Sequence, residues 1–428
     1  MTKLLLNKIE TTNKQNNTFI TICRKTALKE AKLSEKELMR GNYLGPLHGI
    51  PISVKDNICV KDVYYTNGSK MFNNRIGMLD AEIIKRIRKR GVILLGKTNM
   101  DEFANNVVGI NEFYGTIRNP YDDTRSAGGS SGGSAASVAF NSSFASIGTD
   151  TSGSVRIPAA CCGVVGLKPS YDLISTKGIE PLSYSLDHVG VLAKSCTDAN
   201  LILQSFAPKR RLKEYINLQN DLKVEGLKIG IPNNPIFNLL ADSIKKKVNE
   251  VIEIFKKNGA TTKKLNIDNI ESASYSREII IGAEASLHHK EILLENKESY
   301  EKENVDFLTT GFSFSKEEYQ NSLAVKQKSN FEIGKSLENV DVLLTPTLPI
   351  DVPNLNKKTI QWGEGEEESV LNALSRLTGI FNMSGHPALN VPVGFDDKGL
   401  PIGIQIVGNI HQEQKILSIG EFIMHVTG

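Results

Sequence analysis

Short apolar runs bounded by glycine or proline recur along this chain, with room for helices between them. Ile50-Pro51-Ile52-Ser53-Val54 follows a turn that begins at Gly45. Val92-Ile93-Leu94-Leu95-Gly96 follows a basic amphipathic stretch over 80–90 that Gly91 stops. Leu227-Lys228-Ile229-Gly230-Ile231 leads into a helical pattern from Ala241 to Lys257, with Ile244, Val248, Val251, Ile252 and Phe255 on one face. Similar runs return at Val340–Leu344, Ala388–Val391 and Gly403–Val407. Strands without polar alternation are buried on both faces. The expected fold class is therefore α/β: a single large α/β/α domain over 1–428, with a central mixed β-sheet covered by helices. Residues 17–40 read as a polar helix. No fixed-period repeat or interdomain linker interrupts the pattern. The span 209–335, richer in lysine, glutamate and asparagine, reads as a variable rim, and the acidic loop 363–368 as a solvated surface.

Charge and composition exclude several functions. A net charge of +3 from 51 basic and 48 acidic residues gives no nucleic-acid or membrane signal. The start, Met1 to Lys8, has only a three-residue apolar run, too short for a signal-peptide core, and no stretch of about 18 apolar residues follows. The cytoplasm is the default location. Five cysteines without a C-x-x-C pair point to reduced structural thiols rather than disulfides or zinc, and no histidine pair has zinc-protease spacing. No metal is expected.

The chemistry concentrates in two serine-bearing turns. Gly128-Gly129-Ser130-Ser131-Gly132-Gly133-Ser134 precedes the small-residue, helix-like stretch Ser134–Phe140, and Asp150-Thr151-Ser152-Gly153-Ser154-Val155-Arg156 ends the strand-like Ala145–Thr149. A flexible linker would not run directly into a helix, and a Walker-type phosphate loop needs a G-K-[ST] ending that is absent. Gly128 to Gly132 formally satisfies the nucleophile-elbow pattern G-x-S-x-G, but the preceding Asn119–Arg125 is turn-like rather than a strand. Asp187-His188 is a weak acid–histidine pair, because sequence neighbours seldom present triad geometry. Asp150 and Arg156 flank Ser154; they can brace its turn by charge-assisted hydrogen bonds or form a plain surface ion pair.

Lys55 closes an apolar strand. Burial there would depress its pKa, and a drop from ~10.4 to ~7 corresponds to roughly 4.6 kcal/mol, within the range known for buried lysines. A neutral amine would be a base. The competing reading is a lysine that snorkels past the strand end or pairs with Asp56.

With Lys55, Ser130 and Ser154 identified, the chain resembles the amidase signature family. The resemblance rests on Leu47–Asn57, Gly96-Lys97-Thr98-Asn99-Met100-Asp101-Glu102-Phe103-Ala104, the Gly128–Ala136 cluster, Gly148–Ala160 and Gly163–Pro169. It is dense over 45–200 and continues more loosely at Thr345-Pro346-Thr347 and Gly403–Gly408. The 24-residue step from Ser130 to Ser154 matches the family's spacing between its two catalytic serines and favours Ser130 over Ser131. By that resemblance Ser154 is the acyl-forming nucleophile, Ser130 a bridging serine on a cis peptide bond, and Lys55 the terminal base. By the same resemblance, backbone N–H groups around Thr151, Ser152, Gly153 and Ser154 form the oxyanion hole, with Asp150 and Arg156 in support. Ser152 departs from the family's usual glycine, and a positive φ there would be costly.

The resemblance implies an amidase that hydrolyses a small carboxamide to acid and ammonia without a cofactor. The alternative is the amidase-like subunit of a glutamyl-tRNA(Gln)/aspartyl-tRNA(Asn) amidotransferase, freeing ammonia from glutamine for a partner subunit, with ATP used only in that complex. Lys97–Ala104 fits this alternative well. Against it, Ala324–Ser329 lacks the arginine expected to grip glutamine's carboxylate, and Ser185–Gly190 and His288–Glu291 look more like free-standing amidases. The expected partner is a small-molecule amide; a homodimer is compatible, and nothing signals direct nucleic-acid or membrane contact.

Overall fold

In the computed structural model, which describes residues 1–208, 224–363 and 365–427, the apolar runs become the centre of a large sheet. In chain order the strands are β1 (Phe19–Ile22), β2 (Pro51–Lys55), β3 (Ile93–Thr98), β4 (Ala145–Asp150), β5 (Val165–Lys168) and β6 (His188–Ala193). They continue with β7 (Lys228–Pro232), β8 (Thr261–Leu265), β9 (Val342–Pro346), β10 (Thr359–Trp362), β11 (Glu366–Ser369), β12 (Ala388–Phe395) and β13 (Pro401–Val407). Eleven form one sheet in the order β1-β3-β2-β4-β6-β5-β12-β13-β9-β7-β8, and β10 and β11 pair separately as an antiparallel ribbon.

The sheet is mixed, as expected. β3, β2 and β4 run parallel, β4 through β9 pair antiparallel, and β9, β7 and β8 are parallel again. The helix Glu82–Arg88 makes the β2-to-β3 crossover, burying Ile83, Ile84 and Ile87 while its basic residues stay outside. Alternation on β6 shows the layers: Val189 and Val191 join the core under the helices Cys196–Phe206 and Glu413–Thr427, whereas Leu192 packs with Gly132–Ala139 on the other side. Helix Asp242–Lys257 buries Ile244, Val248, Val251 and Phe255, and Ile252 of the expected face is only partly buried.

One expected element divides. Residues 17–40 are not a continuous helix: Phe19–Ile22 is edge strand β1, and the helix begins at Arg24. Phe19 is buried and pairs with Thr98, and β3 has no side chain at Gly96, where a Cβ would collide with the Thr21 carbonyl. A tertiary edge thus overrides the local polar pattern. An N-terminal helix, Thr2–Asn16, lies outside the expected elements; it buries Leu6 and Ile9 beside β1. The span 209–335 contains two long helices, Ile270–Asn296 and Lys316–Ser336; its portion 209–223, like Glu364 of the acidic loop, lies outside the described residues.

The parallel trio positions the chemistry. Lys55, Thr98 and Asp150 end β2, β3 and β4, and the carboxyl ends of neighbouring parallel strands are where α/β sheets open a crevice.

Candidate active site

Lys55 is fully buried, and its Nζ donates to Ser130 Oγ and to Thr149 Oγ1, both at 2.8 Å. No carboxylate among the described residues forms an ion pair with it. Burial pushes its pKa down to about 7, although the charges of Asp101, Asp187 and Asp150 oppose the shift. The snorkelling and Asp56-paired alternatives both fail. The side chain has no solvent exposure, and Asp56 instead pairs with Lys97 Nζ at 3.1 Å.

The glycine-serine cluster is neither linker nor elbow; it packs against the rest of the site. The Gly129–Ser130 peptide is cis, and helix Gly132–Ala139 begins directly afterwards. At Gly129 a Cβ would collide with the Asp101 carboxylate, and at Gly128, with φ 70°, it would meet Pro158 Cα at 2.6 Å. Ser130 and its neighbour have different tasks. Ser131 donates its hydroxyl to the Thr149 carbonyl at 3.0 Å and its N–H to the Ser154 carbonyl at 3.1 Å, tying the two turns together. Ser130 alone meets the lysine.

Asp150 organises the second turn. Its carboxylate accepts the N–H groups of Gly153 (2.9 Å), Val155 (3.1 Å) and Arg156 (3.4 Å). Arg156 adds Nε and Nη2 at 3.1 and 2.8 Å, then reaches the Thr378 carbonyl, Gln405 Oε1 and Asn382 Oδ1. All five guanidinium donors are used. Both residues are fully buried, which excludes a surface ion pair. Burial would raise the Asp150 carboxyl, but Arg156 overcomes it and holds the group well below the usual carboxylate range.

This geometry removes Gly153 from the expected oxyanion donors. Gly153 gives its N–H to Asp150 Oδ1, whereas the N–H groups of Thr151, Ser152 and Ser154 have no protein partner among the described residues. The positive φ falls on Gly153, at 123°, and not on Ser152, so the serine departure costs no backbone strain. Ser154 is 3% exposed and lines a cavity of about 300 Å3 with Thr151 and Ser152. The Lys55–Ser130 link is formed; no Ser130–Ser154 hydrogen bond is present among the described residues.

Other expected residues are not brought to the nucleophile. His188 turns Nδ1 to the Leu186 carbonyl at 2.6 Å, while its neighbour Asp187 accepts from Thr151 Oγ1 at 2.5 Å and from the Leu182 and Ser183 amides. They do not act as a pair. Residues 324–329 do not line the cavity; Lys326 lies 4.6 Å from the Tyr171 ring centroid. The five cysteines are free thiols, and burial pushes Cys161 up to about 12. Among the described residues no acidic, histidine or cysteine cluster could hold a metal ion, and no helix is long and apolar enough to cross a membrane.

Three site residues escape a reading of the sequence. Asp101 sits in a quoted motif, but its position against Gly129 is not legible there; it accepts the Gly109 and Ile110 amides, and burial pushes it up to about 7. Asn382 reaches Asp150 from more than 200 residues away. Arg277, on a long helix without a clean apolar face, lines the cavity with Ser154.

The chain is similar to known proteins over nearly its whole length. A family model described as Amidase matches residues 1–417. A glutamyl-tRNA(Gln) amidotransferase subunit of Alkaliphilus metalliredigens (strain QYMF) is 33% identical, covering 96% of this chain and 89% of that protein. The protein of the same name from Coxiella burnetii (strain RSA 493 / Nine Mile phase I) is 34% identical over 98% and 92% of the two chains. A solved amidase structure superposes with a TM-score of 0.91 at 32% identity, covering all of this chain and 95% of the other.

Proposed function

The chain belongs to the amidase signature family of amide carbon–nitrogen hydrolases, and from that premise we propose that it cleaves a small carboxamide to carboxylate and ammonia through an acyl-enzyme on Ser154. The observation that carries the residue roles is Lys55, buried, bonded to two hydroxyls and with its pKa lowered to about 7. Neutral Lys55 draws the Ser130 proton as Ser130 takes the proton of Ser154. The Ser154 oxygen then bonds the amide carbon. The N–H groups of Thr151, Ser152 and Ser154 receive the developing oxyanion, each such donor typically worth roughly 3 to 4 kcal/mol. As the carbon–nitrogen bond breaks, the proton returns along the same path to the leaving nitrogen. Water repeats the sequence on the ester, freeing the acid. No step calls for a metal or cofactor.

A second reading has its own support. Both relatives are named as glutamyl-tRNA(Gln) amidotransferase subunits, and they are 33–34% identical over nearly the whole chain. In that case glutamine is the amide, ammonia passes to a partner subunit, and ATP is consumed in the complex. The same three residues would serve.

Ammonia release by the purified chain from aliphatic amides, aromatic amides and glutamine, with Ser154→Ala in parallel, separates the readings. Release without a partner that vanishes in the variant supports the stand-alone amidase. Silence followed by glutamine-dependent release when partner subunits are added selects the amidotransferase. Activity that survives in Ser154→Ala refutes the nucleophile.

A further inference from the structure

Two buried arginines flank the Ser154 turn, and they differ in how many of their donors are used. Arg156 places all five N–H groups on protein acceptors. Arg277 is 4% exposed, yet among the described residues it makes a single hydrogen bond, from Nη1 to the Ser375 carbonyl at 3.2 Å. The Glu278 carboxylate stands 3.8 Å away, beyond a direct hydrogen bond, and is half exposed. A guanidinium taken out of water with most of its donors idle is costly unless another group completes it.

The missing group has a place. Arg277 lines the same cavity as Ser154, and so does Ser152, whose hydroxyl is buried without a partner among the described residues. The two polar groups converge at Gly379, where a Cβ would collide with Arg277 Nη1 and approach Ser152 Oγ to 2.8 Å. Gly379 has a helical backbone, with φ −63° and ψ −26°, so the absence of its side chain matters for space and not for conformation. Leu182, Ile281, Phe307 and Phe314 give the cavity apolar lining, and the half-exposed Glu278 also lines it.

We propose that this cavity binds a carboxylate of the acyl substrate between the Arg277 guanidinium and the Ser152 hydroxyl, so that the preferred amides are monoamides of short dicarboxylic acids. A guanidinium fork matches a carboxylate through two parallel hydrogen bonds, and the Ser152 hydroxyl supplies a third donor. The apolar lining takes the methylene spacer, and a cavity of about 300 Å3 limits its length. The inference rests on the amidase reading for which bond is cut, but not for what is bound.

Succinamate and butyramide, nearly equal in length and differing in the carboxylate, provide the test. The wild-type KM is expected to be about tenfold or more lower for succinamate, the scale of a hydrogen bond to a charged group. Arg277→Met raises the succinamate KM by about that factor with kcat changed only a few-fold, and raises the butyramide KM much less, so that the preference between the two amides collapses. Gly379→Ala, which crowds the guanidinium without removing it, shifts KM in the same direction, and Arg277→Lys recovers part of the loss. Equal KM values for the two amides in the wild type, or parallel losses on both in Arg277→Met, overturn the proposal. Should neither amide be hydrolysed, calorimetric titration of Ser154→Ala protein with succinate decides separately. Saturable binding abolished by adding Arg277→Met upholds the anion site while the amidase reading fails; absence of binding refutes the site whatever the turnover.

Discussion

Lys55 ends β2 and Lys97 sits one residue before the end of the adjacent parallel β3; both are fully buried, and they have opposite surroundings. Lys97 on β3 meets the Asp56 carboxylate at 3.1 Å and the Asp56 carbonyl at 3.2 Å. Among the described residues, Lys55 on β2 hydrogen-bonds only to hydroxyls, those of Ser130 and Thr149. The same side chain at the same depth is thus an ion-pair partner in one strand and, in the proposed mechanism, a base in the next. What separates them is whether a carboxylate lies within direct reach. A buried ammonium is stable where an anion faces it, and one facing neutral oxygens gives up its proton.

Exchanging each lysine for methionine should produce the largest and most opposed effects. Lys55→Met is expected to lower kcat/KM by about 10²- to 10⁴-fold, the usual range for proton transfer by a positioned base, with a thermal midpoint at or above the wild type. Lys97→Met strands the buried Asp56 carboxylate and should cost about 3–5 kcal/mol in urea unfolding, with activity per folded molecule within a few-fold. Inactivation by Lys97→Met without destabilisation would break the comparison.

The pH profile sharpens it. With Lys55 near 7, kcat/KM should climb through neutrality as the amine loses its proton. Asp101 supports the protonated form, so Asp101→Asn should move that midpoint to lower pH by on the order of one unit or less. A shift to higher pH would show that the carboxylate does not act on the lysine through its charge.

Stability carries the same signature. Between pH 7 and 10.5 the unfolded chain holds a proton on Lys55 that the folded protein has released. The cost of burying this residue is therefore full below pH 7 and falls as pH rises through that window. Wild-type protein should gain stability from about pH 7 to about 9.5 relative to Lys55→Met, as read by urea midpoints; equal slopes would place Lys55 at its ordinary pKa. The smallest effect belongs to the neighbouring serine. Ser131→Ala removes the hydroxyl's two hydrogen bonds with the Thr149 backbone, to its carbonyl and from its N–H, and should cost about 1–2 kcal/mol with most activity kept, whereas Ser130→Ala should lose nearly all of it.

Much of this is legible in the chain, for identifiable reasons. Apolar runs between glycine and proline mark β2, β3, β7, β9, β12 and β13, because a strand covered on both faces has no polar alternation. β1 reads instead as part of a helix, since a four-residue edge strand is specified by its partner β3 more than by its own residues. Lys55, Ser130 and Ser154 stand out by type and setting, but Arg277 does not: an arginine in a helix normally faces water, and nothing local marks one that faces a cavity.

The sequence by itself determined the fold class and the family and singled out the side chains proposed to carry the chemistry, because those follow from local pattern and from residue type. Only the tertiary structure decided what each charge faces. It gave Asp56 to Lys97 and left Lys55 to hydroxyls. It turned Gly153 N–H toward Asp150 and, among the described residues, left the N–H groups of Thr151, Ser152 and Ser154 without a partner, and it completed Arg156 with Thr378, Asn382 and Gln405 from the far end of the chain. A charge's behaviour depends on the dielectric and the partners within a few ångströms; Asp150 finds Gly153 and Arg156 close by in sequence, but the partners of Lys55, of Lys97 and of the rest of the Arg156 fork lie tens to hundreds of residues away.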